Sequence, residues 1–106
     1  MGTMARVTTV GGTSELPRQI VDQLHHFDAI WSRFEPHSEI SELNNHQDVP
    51  FAVSEDTREL VELMIRGHAL TQGAFDPTLL PALLGEGYTS SFVNPEKTTV
   101  LPAHSL

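Results

Sequence analysis

The stretch Gly73-Ala74-Phe75-Asp76-Pro77-Thr78 carries more chemical handles than any other part of the chain. Backbone amides around a glycine can approach a flat ligand closely, and Phe75 offers a ring for stacking or for lining a pocket. Asp76 can accept hydrogen bonds from a ring N–H or a ribose hydroxyl. The same residues have an ordinary structural reading, in which Asp76 caps a following helix and Phe75 belongs to the core. Both readings stand on the residues alone. Gly11-Gly12-Thr13-Ser14, between a strand-like and a helix-like run, could turn backbone N–H groups toward a phosphate, or could be a plain tight turn.

The remaining candidates fail on spacing. His25 and His26 are adjacent, so on a helix they point about 100° apart, and no histidine lies four residues from another. His37-Ser38-Glu39 has the His-x-Glu form of zinc deaminases without their cysteine pair, and a capping turn explains it better. Gly85-Glu86-Gly87 begins a dinucleotide-type glycine pattern, but Ser90 occupies its last position and a helix-like run precedes it. No Gly-x-Ser-x-Gly, phosphate-binding Walker loop or His-Glu-x-x-His occurs.

Residues 4–10 alternate and are rich in β-branched types, which predicts a strand broken by Gly11 and Gly12. Thr13 and Ser14 are candidate caps for a helix in which Pro17 falls in the first turn. Leu16, Ile20, Leu24, Phe27, Trp31 and Phe34 recur at spacings of three or four and predict a core-facing stripe. Pro36 ends this helix, and Ser38 caps a short helical turn through Ile40 and Leu43. Phe51 to Val53 make a short extended piece. Ser54 caps a second amphipathic helix with Leu60, Val61, Met64, Ile65 and His68 on its apolar stripe, closed near Gly73. Asp76 before Pro77 is expected to cap a third helix through Leu84, ended by Gly85 and Gly87. Residues 88–106 are polar and proline-containing, with a short strand candidate over 98–101. A lone strand cannot satisfy its own backbone, so strands from elsewhere are expected to complete a sheet.

Composition bounds the partners. The 106 residues suit one domain, with room for one modest core and little margin for an enclosed catalytic cavity. Six Lys and Arg stand against 14 Asp and Glu, a net charge of −8, and Lys97 is the sole lysine, which argues against nucleic acid as a partner. The absence of cysteine excludes disulfides, thiolate nucleophiles and cysteine metal sites. No apolar run reaches the roughly 18–20 residues of a membrane span and no signal layout opens the chain, so a soluble, cytoplasmic protein is expected. An exported or anchored longer form is left open.

Three motifs in order, Met1-Gly2-Thr3, the run Ser32-Arg33-Phe34-Glu35-Pro36-His37-Ser38-Glu39-Ile40-Ser41-Glu42-Leu43-Asn44, and Thr71-Gln72-Gly73-Ala74-Phe75-Asp76-Pro77-Thr78, resemble the FAD:protein FMN transferase family, the ApbE flavin transferases. The stretch from Leu79 to Phe92 is similar to shorter bacterial members. The resemblance implies that FAD is the substrate and that, with Mg2+, its pyrophosphate is cleaved to attach FMN to a threonine of an acceptor protein. Some members instead hydrolyse FAD to FMN and AMP. Carried over by position, the family's flavin contacts fall on Met1, Phe34, Ala74, Phe75 and Asp76. Phe34 stands where the family often has tyrosine, keeping the ring and losing the hydroxyl. The family's Asp-Leu-Gly-Gly-type segment and its late metal-binding Asp and Thr have no counterpart before Leu106. Pyrophosphate is anionic and needs a cation that an acidic chain with one lysine does not supply.

The resemblance implies an α/β fold of mixed α+β form, with helices packed on a small, incomplete mixed sheet. The periodicity by itself supports just α plus β in one layer pair. Residues 1–106 are expected to form one partial domain, the amino-terminal part of a flavin-transferase-like domain, with a weakly ordered tail over 88–106. On this reading the chain holds part of the FAD pocket and is inactive alone. The alternative is a truncated, non-catalytic interaction module that forms homo-oligomers through exposed strand edges.

Overall fold

A computed structural model describes residues 3–99. Four helices follow in order: α1 (Leu16–Trp31), α2 (Glu39–Asn45), α3 (Glu55–Leu70) and α4 (Leu80–Gly85). None is long and apolar enough to cross a membrane among the described residues.

The expected sheet is absent from the described residues, which overturns the reading of helices packed on a mixed sheet. Residues 4–9 pair with nothing and are largely exposed, ending at Val10 with 99% of its surface in solvent. Alternation and β-branching report how well side chains would suit a pleated surface, and without a neighbouring strand that preference has nothing to act on. Residues 51–53 likewise form no strand. The candidate at 98–101 reduces to a single antiparallel bridge, Ser90 to Thr98, with residues 100–101 outside the described part.

The helices begin and end for local reasons. Ser38 and Ser54 cap α2 and α3, their hydroxyls accepting from the amides of Ser41 at 3.2 Å and Thr57 at 3.4 Å. Thr13 and Ser14 do not cap α1: its cap position is Glu15, without a side-chain bond. At the end of α3, Gly73 N–H donates to His68 O and Gln72 N–H to Ala69 O, a paired closure in which Gln72 (φ 52°) and Gly73 (φ 85°) both turn left-handed. Tyr88 N–H to Leu83 O and Gly87 N–H to Leu84 O close α4 in the same way, and Pro81 is tolerated because it lies in the first turn.

No apolar side chain is fully buried among the described residues, so the α1 stripe expected as core is only half covered. The buried residues are Ser38, Thr57 and Ser91, all hydroxyl-bearing. Two of them, Ser38 and Thr57, sit at joints, and Ser91 lies within the loop over residues 88–99. The Ser38 hydroxyl donates to Ser32 O at 2.7 Å where α1 passes into α2. Thr57 Oγ1 accepts from the Trp31 indole N–H at 3.1 Å, tying α3 to α1, and Glu39 of α2 accepts from the Ser54 hydroxyl at 2.8 Å and from its amide. His26 and Asp56 add an exposed contact at 3.4 Å between α1 and α3. The radius of gyration is 16.0 Å, against about 13 Å for a compact globule of this length.

Candidate functional site

The turn after α1 carries Arg33 and Phe34, and the segment over residues 88–99 folds back onto it. Within that segment Ser91 N–H donates to Lys97 O at 3.0 Å and Thr99 N–H to Thr89 O at 2.9 Å. The Ser91 hydroxyl accepts from the amides of Val93 and Asn94, both at 3.3 Å. Arg33 joins the two ends of the loop: one guanidinium nitrogen donates to Thr99 Oγ1 at 2.8 Å, the other to Tyr88 O at 2.9 Å. The guanidinium carbon stands 4.2 Å from the centre of the Phe34 ring and 4.5 Å from that of Tyr88. Burial pulls the Arg33 guanidinium below its ordinary value, partly offset by Tyr88. Lys97 pairs with Glu35 beside it.

Two grooves open on this cluster, and Phe34 lines both. The larger, about 640 Å³, runs between the turn, α2 and the loop, with Ser41, Asn44, Asn45 and Thr98 on its walls. The other, about 350 Å³, is more aromatic, bounded by Phe27, Trp31, Tyr88 and Phe92. Phe27 and Trp31 stack one helical turn apart with centroids 4.4 Å apart, and Tyr88 meets Phe34 edge-on at 5.9 Å. Both volumes fall within the about 300–1,000 Å³ typical of small-molecule sites.

Residues 73–78 line neither groove. Phe75, 45% exposed, lies across Gly67 of α3, where an added Cβ would sit 3.1 Å from its ring. Its amide donates to Thr71 Oγ1 at 2.9 Å, and its carbonyl lies 3.1 Å from His68 Nδ1. Ala74 is exposed beside it, its amide bonded to Thr71 O at 3.1 Å. Asp76 does not cap α4, whose cap position is Leu79. Instead Asp76 Oδ1 accepts from the Thr78 hydroxyl at 2.6 Å and amide at 2.9 Å, closing a local turn. Those bonds, aided by His68, hold the Asp76 carboxyl below the ordinary aspartate range. Met1 lies outside the described residues.

Of the expected site residues, Phe34 thus stands at the grooves, and Ala74, Phe75 and Asp76 form a separate loop. Sequence reasoning passed over Arg33 and Tyr88, although the chain's one tyrosine follows the Gly-x-Gly turn and Arg33 sits inside a motif already singled out. Among the described residues no three His, Asp or Glu side chains gather as metal ligands.

The family model described as ApbE family matches residues 1–103. A relative from Chlamydia pneumoniae, named FAD:protein FMN transferase, is 33% identical over 69 residues, which is 64% of this chain and 22% of the relative. The match therefore spans about a fifth of that relative's length. No solved structure matches. Since the family model takes in nearly the whole chain, including the turn that carries Arg33 and Phe34 and the loop that folds over it, this chain belongs to the ApbE family.

Proposed function

We propose that the chain supplies part of the FAD site of a flavin transferase that moves FMN from FAD to a threonine of an acceptor protein. In that reaction the threonine hydroxyl oxygen bonds to the FMN phosphorus and the bond to the AMP phosphate breaks. AMP leaves with the electron pair and the hydroxyl proton is released. The observation that carries the reading is Phe34 on the shared wall of two ligand-sized grooves. An aromatic ring at such a wall is suited to an isoalloxazine face. The Ala74 to Asp76 loop would meet the flavin from its own side, Phe75 by its ring and Asp76 by its carboxylate, and Met1 would contribute from the amino terminus. On this reading the chain is inactive by itself, since an anionic pyrophosphate needs a cation that an acidic chain with one lysine does not supply. Hydrolysis of FAD to FMN and AMP would use the same substrate site with water in place of the threonine.

Calorimetric titration of FAD into the chain, with and without magnesium, tests this. Saturable binding that does not need magnesium is expected, and a Phe34→Ala chain should bind at least several-fold more weakly. No heat in either condition would remove the reading. A second reading, a non-catalytic module that associates with itself, is favoured by the exposure of Leu63, Ile65 and Leu70 on α3. It requires a dimer or larger species by light scattering and no affinity for FAD.

A further inference from the structure

Arg33 has a role that neither its charge nor its motif announces. A guanidinium is planar, with N–H donors fixed in a fork. Here the fork spans the two ends of the 88–99 loop, donating to Thr99 Oγ1 and to Tyr88 O, while its central carbon lies over the rings of both Phe34 and Tyr88. The Thr99 hydroxyl donates back to Arg33 O at 3.1 Å, so backbone and side chain of one residue both engage the end of the loop. The loop's internal bonds, Ser91 to Lys97 and Thr99 to Thr89, tie its halves to each other. The Lys97–Glu35 pair is a further polar anchor of the loop to the turn, and it is exposed, of a kind that adds little in water.

We infer that Arg33 is a positioning residue: its guanidinium staples the 88–99 loop shut and, by lying over the Phe34 and Tyr88 rings, sets the angle at which the Phe34 ring faces the grooves. The flavin part of this rests on the function proposed above, whereas the staple does not. Lysine at this position would keep the charge and lose both the fork and the flat face.

The test compares the 106-residue chain with Arg33→Lys and Thr99→Val. Amide hydrogen exchange at Ser91, Lys97 and Thr99 reads loop closure, and exchange within α3 reports whether a variant has lost its fold generally. Visible circular dichroism per bound FAD reads the setting of the ring, which a merely weaker complex would leave unchanged at saturation. Arg33→Lys is expected to speed loop exchange roughly tenfold or more, the scale of a lost charge-assisted fork. It should leave α3 exchange unchanged and alter the flavin signal at saturation. Thr99→Val, which removes one arm and leaves Arg33 in place, should give a smaller change in the same direction. Unchanged loop exchange in both variants overturns the staple. Faster loop exchange with the flavin signal of the parent overturns the positioning of Phe34. If the parent binds no FAD, the proposed function falls and takes the flavin part with it, and loop exchange still decides the staple.

Discussion

Thr57 has no exposed surface, and its hydroxyl is the partner of the Trp31 indole N–H. Replacing it by valine keeps the shape and strands a half-buried donor, so Thr57→Val should destabilise by about 1–3 kcal/mol, while Thr57→Ser should lose much less. Urea unfolding followed by Trp31 fluorescence reads the difference directly. Asp76 is the other residue whose partners define its behaviour. Its carboxylate is held in the charged form by Thr78, so nuclear magnetic resonance should find it titrating below the ordinary 3.8. Because its value in the folded chain is depressed, whatever the turn gains from that charge is present above the ordinary value and is lost as the pH falls through the lower one. Asp76→Ala frees the amide and hydroxyl of Thr78 and should weaken FAD binding. Asp76→Asn keeps an acceptor for the turn and separates the two effects.

Among elements, the joint between α2 and α3 depends on one serine. Ser54 caps α3 and donates to Glu39 of α2, so Ser54→Ala removes both links and should cost about 1–2 kcal/mol, seen as lost helicity and earlier urea unfolding. Glu39 carries the pH dependence of the joint. Burial alone would raise its carboxyl, but the Ser54 amide and hydroxyl bring it below the ordinary 4.5. A depressed carboxylate stabilises above its ordinary value, so the α2–α3 joint should loosen as the pH drops below 4.5, and Glu39→Gln should flatten that dependence. At the far end of α3, alanine in place of Gly67 would normally strengthen a helix by about 1 kcal/mol. Here the added carbon meets the Phe75 ring at 3.1 Å, so Gly67→Ala should instead shift Phe75, visible in its ring resonances, with little gain in stability. The helices were legible from the chain because caps and apolar spacing act within a few residues: Ser38, Ser54 and Gly73 sit where their side chains or backbones demand. The strand read at residues 4–10 does not form, since alternation states a preference that only a neighbour can satisfy. Phe34, which lines both grooves, was legible as a candidate through its motif. Its partners Arg33 and Tyr88 were not, because a contact across 55 residues leaves no local periodicity.

At the scale of the whole molecule, helices carrying Leu63, Ile65 and Leu70 in solvent surround no apolar centre among the described residues. X-ray scattering from dilute chain should give a radius of gyration close to 16.0 Å, and contraction toward about 13 Å would mean that these faces had found one another. That the buried side chains among them are the hydroxyl-bearing Ser38, Thr57 and Ser91 has a thermal consequence. Unfolding raises the heat capacity mainly by wetting apolar surface, at about 12–15 cal/mol/K per residue in ordinary domains, while wetting polar surface lowers it. A chain whose buried side chains are hydroxyl-bearing and whose apolar stripes are only half covered should show a smaller increment than that. Its stability curve would then be flatter than usual, and a calorimeter would record a broader melt.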